Sequence, residues 1–84
     1  MKFRKKPVII DAERYFGDSN FNLIRLFMGN DELIHHFGNR VLGIPTLEGM
    51  TKVNPGDWII RGVKGEFHPI KNDIFLATYE RVEE

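Results

Sequence analysis

The sequence predicts an α+β domain. It reads as a mostly antiparallel β-sheet of about four to five strands, with an N-terminal strand–helix unit and a short C-terminal helix packed on one side. Three observations carry this. An apolar stretch at residues 8–10 follows a proline. Phe21, Leu23, Ile24, Phe27 and Met28 recur at helical spacing, between a breaker at Gly17 and a stop at Gly29. From Arg40 onward, short apolar runs alternate with Gly, Pro, Asn and Asp, which is the texture of strands joined by tight turns.

The first strand is expected over residues 7–16, "PVIIDAERYF". Proline can open a strand but not sit at its centre. The first half of this stretch is apolar on both faces, so it reads as buried and central, with the second half running into solvent. Ser19 is placed to cap a helix over residues 20–28, because its hydroxyl can accept a free amide proton of the first turn. Gly29 with Asn30 ends that helix. "DELIHHFGNR" fits either one helical turn capped by Asp31 or a short edge strand ending at Gly38, and its periodicity does not decide between them.

"RVLGIPTL" is extended, since Pro45 disfavours helix at and before itself. Glu48-Gly49 reads as a two-residue hairpin turn, with "MTKV" as the returning strand. Asn54-Pro55-Gly56-Asp57 has the pattern of a type II turn, with "DWII" following as a strand. Gly62 and Gly65 bracket a further turn before "EFHPI". Asn72 can cap a last helical stretch with Ile74, Phe75, Thr78, Tyr79 and Val82 near one face.

Eighty-four residues form a single domain, 1–84, and a small one. A chain of that length buries only about 60–65% of its unfolded surface, so large side chains must make the core. Seven Phe, two Tyr and one Trp serve that need. The expected buried set is Ile10, Phe21, Ile24, Phe27, Trp58, Ile60, Phe67, Phe75 and Tyr79.

Twelve basic and twelve acidic side chains balance to zero, which argues against direct binding of nucleic acid through a broad basic face. Lys2, Arg4, Lys5 and Lys6 crowd one end and Glu80, Glu83 and Glu84 the other. These are solvated termini, or a local basic patch for an acidic partner. With no cysteine there is no disulfide, thiolate nucleophile or cysteine-ligated metal. The apolar run at residues 8–10 is too short for a signal-peptide core or a membrane span, so a cytoplasmic protein without membrane attachment is expected.

The segment from residue 54 to 75, "NPGDWIIRGVKGEFHPIKNDIF", concentrates turns, charges and the lone tryptophan. Pro55, Gly56, Gly62 and Gly65 read as backbone geometry, and Asp57 as an acceptor of amide protons in its turn. "GVKG" lacks the ending of a phosphate-binding loop. Trp58 reads as core, or as a partly exposed platform beside Arg61. Alternation along the strands assigns Trp58, Ile60, Phe67 and Phe75 to the inside, and Arg61, Lys64, Glu66 and His68 to an outer face. Those four are the candidate binding residues. The competing reading is a solvated face with weak ion pairs.

His35, His36 and His68 match no metal-ligand spacing, even with Asp31 or Glu32 added, so no metal or other cofactor is expected. Ser19, Thr46, Thr51 and Thr78 stand in no triad setting, and a Glu48–Glu66 pair is the kind any small domain offers. No enzyme is expected.

Several motifs resemble those of a group of small, mostly uncharacterised bacteriophage and prophage proteins. They are the opening "KKPVIIDAERY", the threonine-leucine-glutamate-glycine hairpin at residues 46–49, "PGDW" with "GVKGEF", and the closing "DIFLATYE". The similarity covers most of the chain, and residues 17–43 are its loose part. His68 stands where members usually carry a tyrosine, and Ile70 where a cysteine is frequent. The resemblance implies a phage or prophage origin and a host bacterial cytoplasm. The expected function is a binding or interaction module with a host protein as partner, for instance an inhibitor of a defence component such as a CRISPR nuclease. The alternatives are an oligomer that captures a small molecule such as a nucleotide, and a structural accessory protein.

Overall fold

The computed structural model describes residues 1–3, 8–30 and 33–82. The expected strand start at Pro7, the basic residues 4–6, the acidic residues Asp31 and Glu32, and the last two glutamates lie outside the described residues.

The chain is α+β, as its patterning predicts, but with six strands in two three-stranded antiparallel sheets. In order they are β1 (Asp11–Arg14), a 3-10 turn (Asp18–Asn20), α1 (Phe21–Met28), β2 (His35–Gly38), β3 (Val41–Thr46), β4 (Gly49–Val53), β5 (Trp58–Arg61), β6 (Phe67–Ile70) and α2 (Asn72–Thr78). The first sheet is ordered β1-β5-β6 and the second β2-β3-β4. Three local hairpins, β2–β3, β3–β4 and β5–β6, keep neighbours together, whereas β1 reaches across the chain to pair Asp11 with Arg61 and Arg14 with Trp58.

The core lies between the sheets and α1. Tyr15, Ile24, Met28, Ile34, Leu42, Ile44, Val53 and Ile59 are buried there, with Phe21, Phe27 and Phe67 packed against them. On β5, Ile59 and Ile60 are both buried, because this central strand is covered on both faces. Ile59 faces the core shared with α1. Trp58, on the opposite face, stacks on Phe75 of α2 with ring centroids 3.9 Å apart. The helices therefore flank the first sheet rather than sharing one side of it.

The N-terminal strand corrects the expectation made for it. Val8 and Ile9 are exposed, β1 is an edge strand, and Tyr15 just beyond it is the buried residue. The unbroken apolar run therefore does not mark a central strand. Helix α1 forms where the 3.6-residue spacing predicts, and Gly29 ends it in the left-handed region at φ 80°. Ser19 does not cap it. The residue before the helix is Asn20, whose side chain turns back to accept from Phe16 N at 2.8 Å and to donate to Arg14 O at 2.6 Å.

Residues 35–38 settle as the edge strand β2, ending at Gly38. The β3–β4 loop is Leu47-Glu48, one residue earlier than expected, since Thr46 pairs with Gly49. The Thr46 hydroxyl fixes that register, accepting from Glu48 N at 3.1 Å and donating to Gly49 O at 2.9 Å. The turn at residues 54–57 closes as its pattern predicts, with Gly56 at φ 96° and Asp57 N donating to Asn54 O at 2.9 Å. Helix α2 begins at Asn72, with Lys71 before it and no side-chain cap. Asn72 instead accepts a hydrogen bond from the Trp58 indole at 2.9 Å.

Candidate functional site

The four residues expected on one outer face are divided by strand register. Arg61 stands opposite Phe67, and His68 opposite Ile60. Directly opposed residues share a face, so Arg61 and Phe67 lie on the core side while His68 and Trp58 lie on the α2 side. The predicted alternation fails because it treated β5 as having one buried face. Arg61 is occupied within the fold. It donates to Asp11 Oδ2 at 3.1 Å and to Phe27 O at 3.4 Å, and its guanidinium sits 4.9 Å from the Phe27 ring centre. Lys64, Glu66 and His68 do gather at the β5–β6 turn. Glu66 accepts from Lys64 N at 3.0 Å, and His68 Nε2 lies 3.9 Å from Glu66 Oε1. The Glu66 carboxylate also fills the space beside Gly62, which a side chain at that position would occupy.

Trp58 is half-buried rather than core. It begins a stack that continues through Phe75 to Tyr79. Asp57 beside it is buried, accepting from Asn54 N at 2.9 Å and from Lys71 Nζ at 3.1 Å. These contacts hold α2 and the turn at residues 54–57 to the sheet.

Among the described residues, no three potential metal ligands converge. His35 and His36 are neighbours on β2, so their side chains leave on opposite faces, and His68 belongs to the other sheet.

A concave site that the sequence gives little hint of lies where the β2–β3 hairpin meets the start of α1. This groove of about 380 Å³ is lined by Tyr15, Asp18, Phe21, His36, Arg40 and Leu42 among others. The Phe21 and His36 rings stand 5.1 Å apart, tilted by 51°. The hairpin turns on Asn39 and Arg40, both in the left-handed region at φ 51° and 64°. Two positive φ values suit the twist of a two-residue hairpin, but an arginine there is strained. The buried Tyr15 hydroxyl holds the turn by donating to Arg40 O at 2.6 Å. The stem of Arg40 runs across Gly17, where an added Cβ would come within 3.1 Å of Arg40 Cδ. Its guanidinium lies 4.0 Å from Asp18, both groups being largely in solvent.

The opposite face of the second sheet carries an apolar patch. Phe37 lies over Gly43, at a spot where any side chain would collide with its ring. Met50 adjoins it, paired with Pro45 across the β3–β4 ladder. Phe37 is 51% exposed, Met50 48%, and Leu47 at the hairpin tip 76%. Lys52 borders the patch, its ammonium 6.0 Å from the centre of the Phe37 ring.

No helix among the described residues is long and apolar enough to cross a membrane. Compared with protein families, with curated proteins and with solved structures, the chain matches none of them.

Proposed function

We propose that this protein is a small interaction module of phage or prophage origin that occupies the surface of a host protein, a bacterial defence component such as a CRISPR nuclease being the concrete version. The origin rests on the motif resemblance. The mode of action rests on one observation, the exposed apolar face where Phe37 and Met50 adjoin over Gly43, with Leu47 exposed at the tip of the β3–β4 hairpin. Contiguous apolar surface with a charged rim is characteristic of protein-binding sites. A small chain that keeps a phenylalanine spread over a glycine on its outer face gives up burial it could use for its own stability.

Affinity capture from host lysate, with mass spectrometry of the bound proteins, tests this reading. The expected result is a stoichiometric host protein that is lost when Phe37 and Leu47 are both replaced by serine. A chain recovered alone, or capture unchanged by the double replacement in a folded variant, overturns it. Arg61 offers the contrast. It is engaged within the fold, so Arg61→Ala is expected to lower thermal stability and leave capture intact.

A further inference from the structure

The groove between the β2–β3 hairpin and α1 lies on the other side of the second sheet from the apolar patch, and its composition is different. It combines a cation, a pair of aromatic rings and an apolar floor in a volume suited to one small molecule. We propose that this groove binds an aromatic anion of mononucleotide size, with its ring against Phe21 and His36 and its anionic group on Arg40.

Four features support this. Among the described residues, the Arg40 guanidinium has a single ion pair, at 4.0 Å to a carboxylate that is itself 88% exposed. Such a pair is weak and easily exchanged, whereas a phosphate or carboxylate can take two parallel hydrogen bonds from the same guanidinium. Phe21 and His36 both line the groove, and stacking on such rings accepts any flat π-system. Leu42, buried in the core, provides a floor that excludes water beneath the ring. The strained backbone of Arg40 is held from below by the buried Tyr15, which roots the cation's side chain at the wall of the groove. The site lies within one chain and does not depend on the interaction reading.

Titration of isotope-labelled protein with adenosine monophosphate, adenosine and inorganic phosphate tests the proposal by NMR. The monophosphate is expected to shift the amide resonances of Phe21, His36 and Arg40, and to bind at least about tenfold more tightly than either fragment. Arg40→Gly separates binding from folding. Glycine is at ease at φ 64°, so this variant is expected to melt above the parent, yet to bind the monophosphate at least about tenfold more weakly. Asp18→Asn, which removes the competing carboxylate, is expected to tighten binding. The proposal is overturned if the monophosphate shifts none of these resonances, if either fragment binds as tightly, or if Arg40→Gly binds like the parent.

Discussion

Tyr15 ties the end of β1 to two turns at once. Its amide donates to Asp57 O at 2.8 Å, its carbonyl accepts from Gly56 N at 2.6 Å, and its hydroxyl donates to Arg40 O at 2.6 Å. Burial pushes the phenol above its ordinary value of 10.0, the Asp18 carboxylate adds to the rise, and Arg40 opposes it. The unfolded chain therefore releases this proton first as pH climbs. The stability tied to the neutral phenol is complete below about pH 10 and is lost as pH rises through the higher folded value. Tyr15→Phe is expected to cost roughly 1–2 kcal/mol at neutral pH, since it leaves a carbonyl without its donor. It should also flatten the fall in melting temperature above about pH 10. Melts of both proteins across that range check this, and an equal alkaline slope in the two would assign the loss to other groups. None of these contacts is visible as a pattern. Tyr15 pairs with residues far along the chain, and its neighbours mark only the end of a strand.

At the level of elements, α2 is lightly held. None of its residues is buried, and its hold on the first sheet comes from the Trp58–Phe75 stack and the indole bond to Asn72. A stack is worth about 0.5–1.5 kcal/mol beyond area and a hydrogen bond about 1 kcal/mol. Trp58→Ala is thus expected to cost roughly 1–3 kcal/mol, less than truncating a fully buried aromatic. The loss should be local. Amides in the last turn of α2 should lose hydrogen-exchange protection while those of Leu42 and Ile44 keep most of theirs. Uniform loss across the protein would show that Trp58 supports the main core. Gly43→Ala is a complementary case on the second sheet, where the new methyl must displace the Phe37 ring. It should lower stability and shift the Phe37 resonances, and a variant indistinguishable from the parent would place that ring elsewhere. Elements with a local cause were legible in the sequence: α1 from its spacing, the turn at residues 54–57 from proline and glycine, and the β3–β4 and β5–β6 hairpins from their breakers, the first of them one residue out of register. Caps were not. Asn20 and Asn72 both spend their side chains on partners outside their own helices, and propensity carries no trace of that choice.

The division into two sheets was also hidden, because it depends on β1 choosing β5 over a nearer strand. The groove shares that difficulty, drawing Tyr15, Phe21 and Arg40 from three separate segments. What joins the halves is one core, in which Ile44 and Val53 of the second sheet meet Ile59 of the first and Ile24 of α1. Small sheets are marginal unless an apolar face is covered, so neither sheet should persist without the other. Ile44→Ala tests this. Ile44 is fully buried at 0% exposure, and removing its methyl groups should cost about 2–5 kcal/mol, out of a total of about 5–10 kcal/mol for a domain of this size. Because the cavity opens between the sheets, the loss should appear equally in both. Hydrogen-exchange protection at Ile59 in β5 should fall by the same free energy as at Leu42 in β3, and heating should give a single transition. If β5 kept its protection while β3 lost its own, the sheets would be separate folding units, and the shared core would be a contact rather than the cause of the fold.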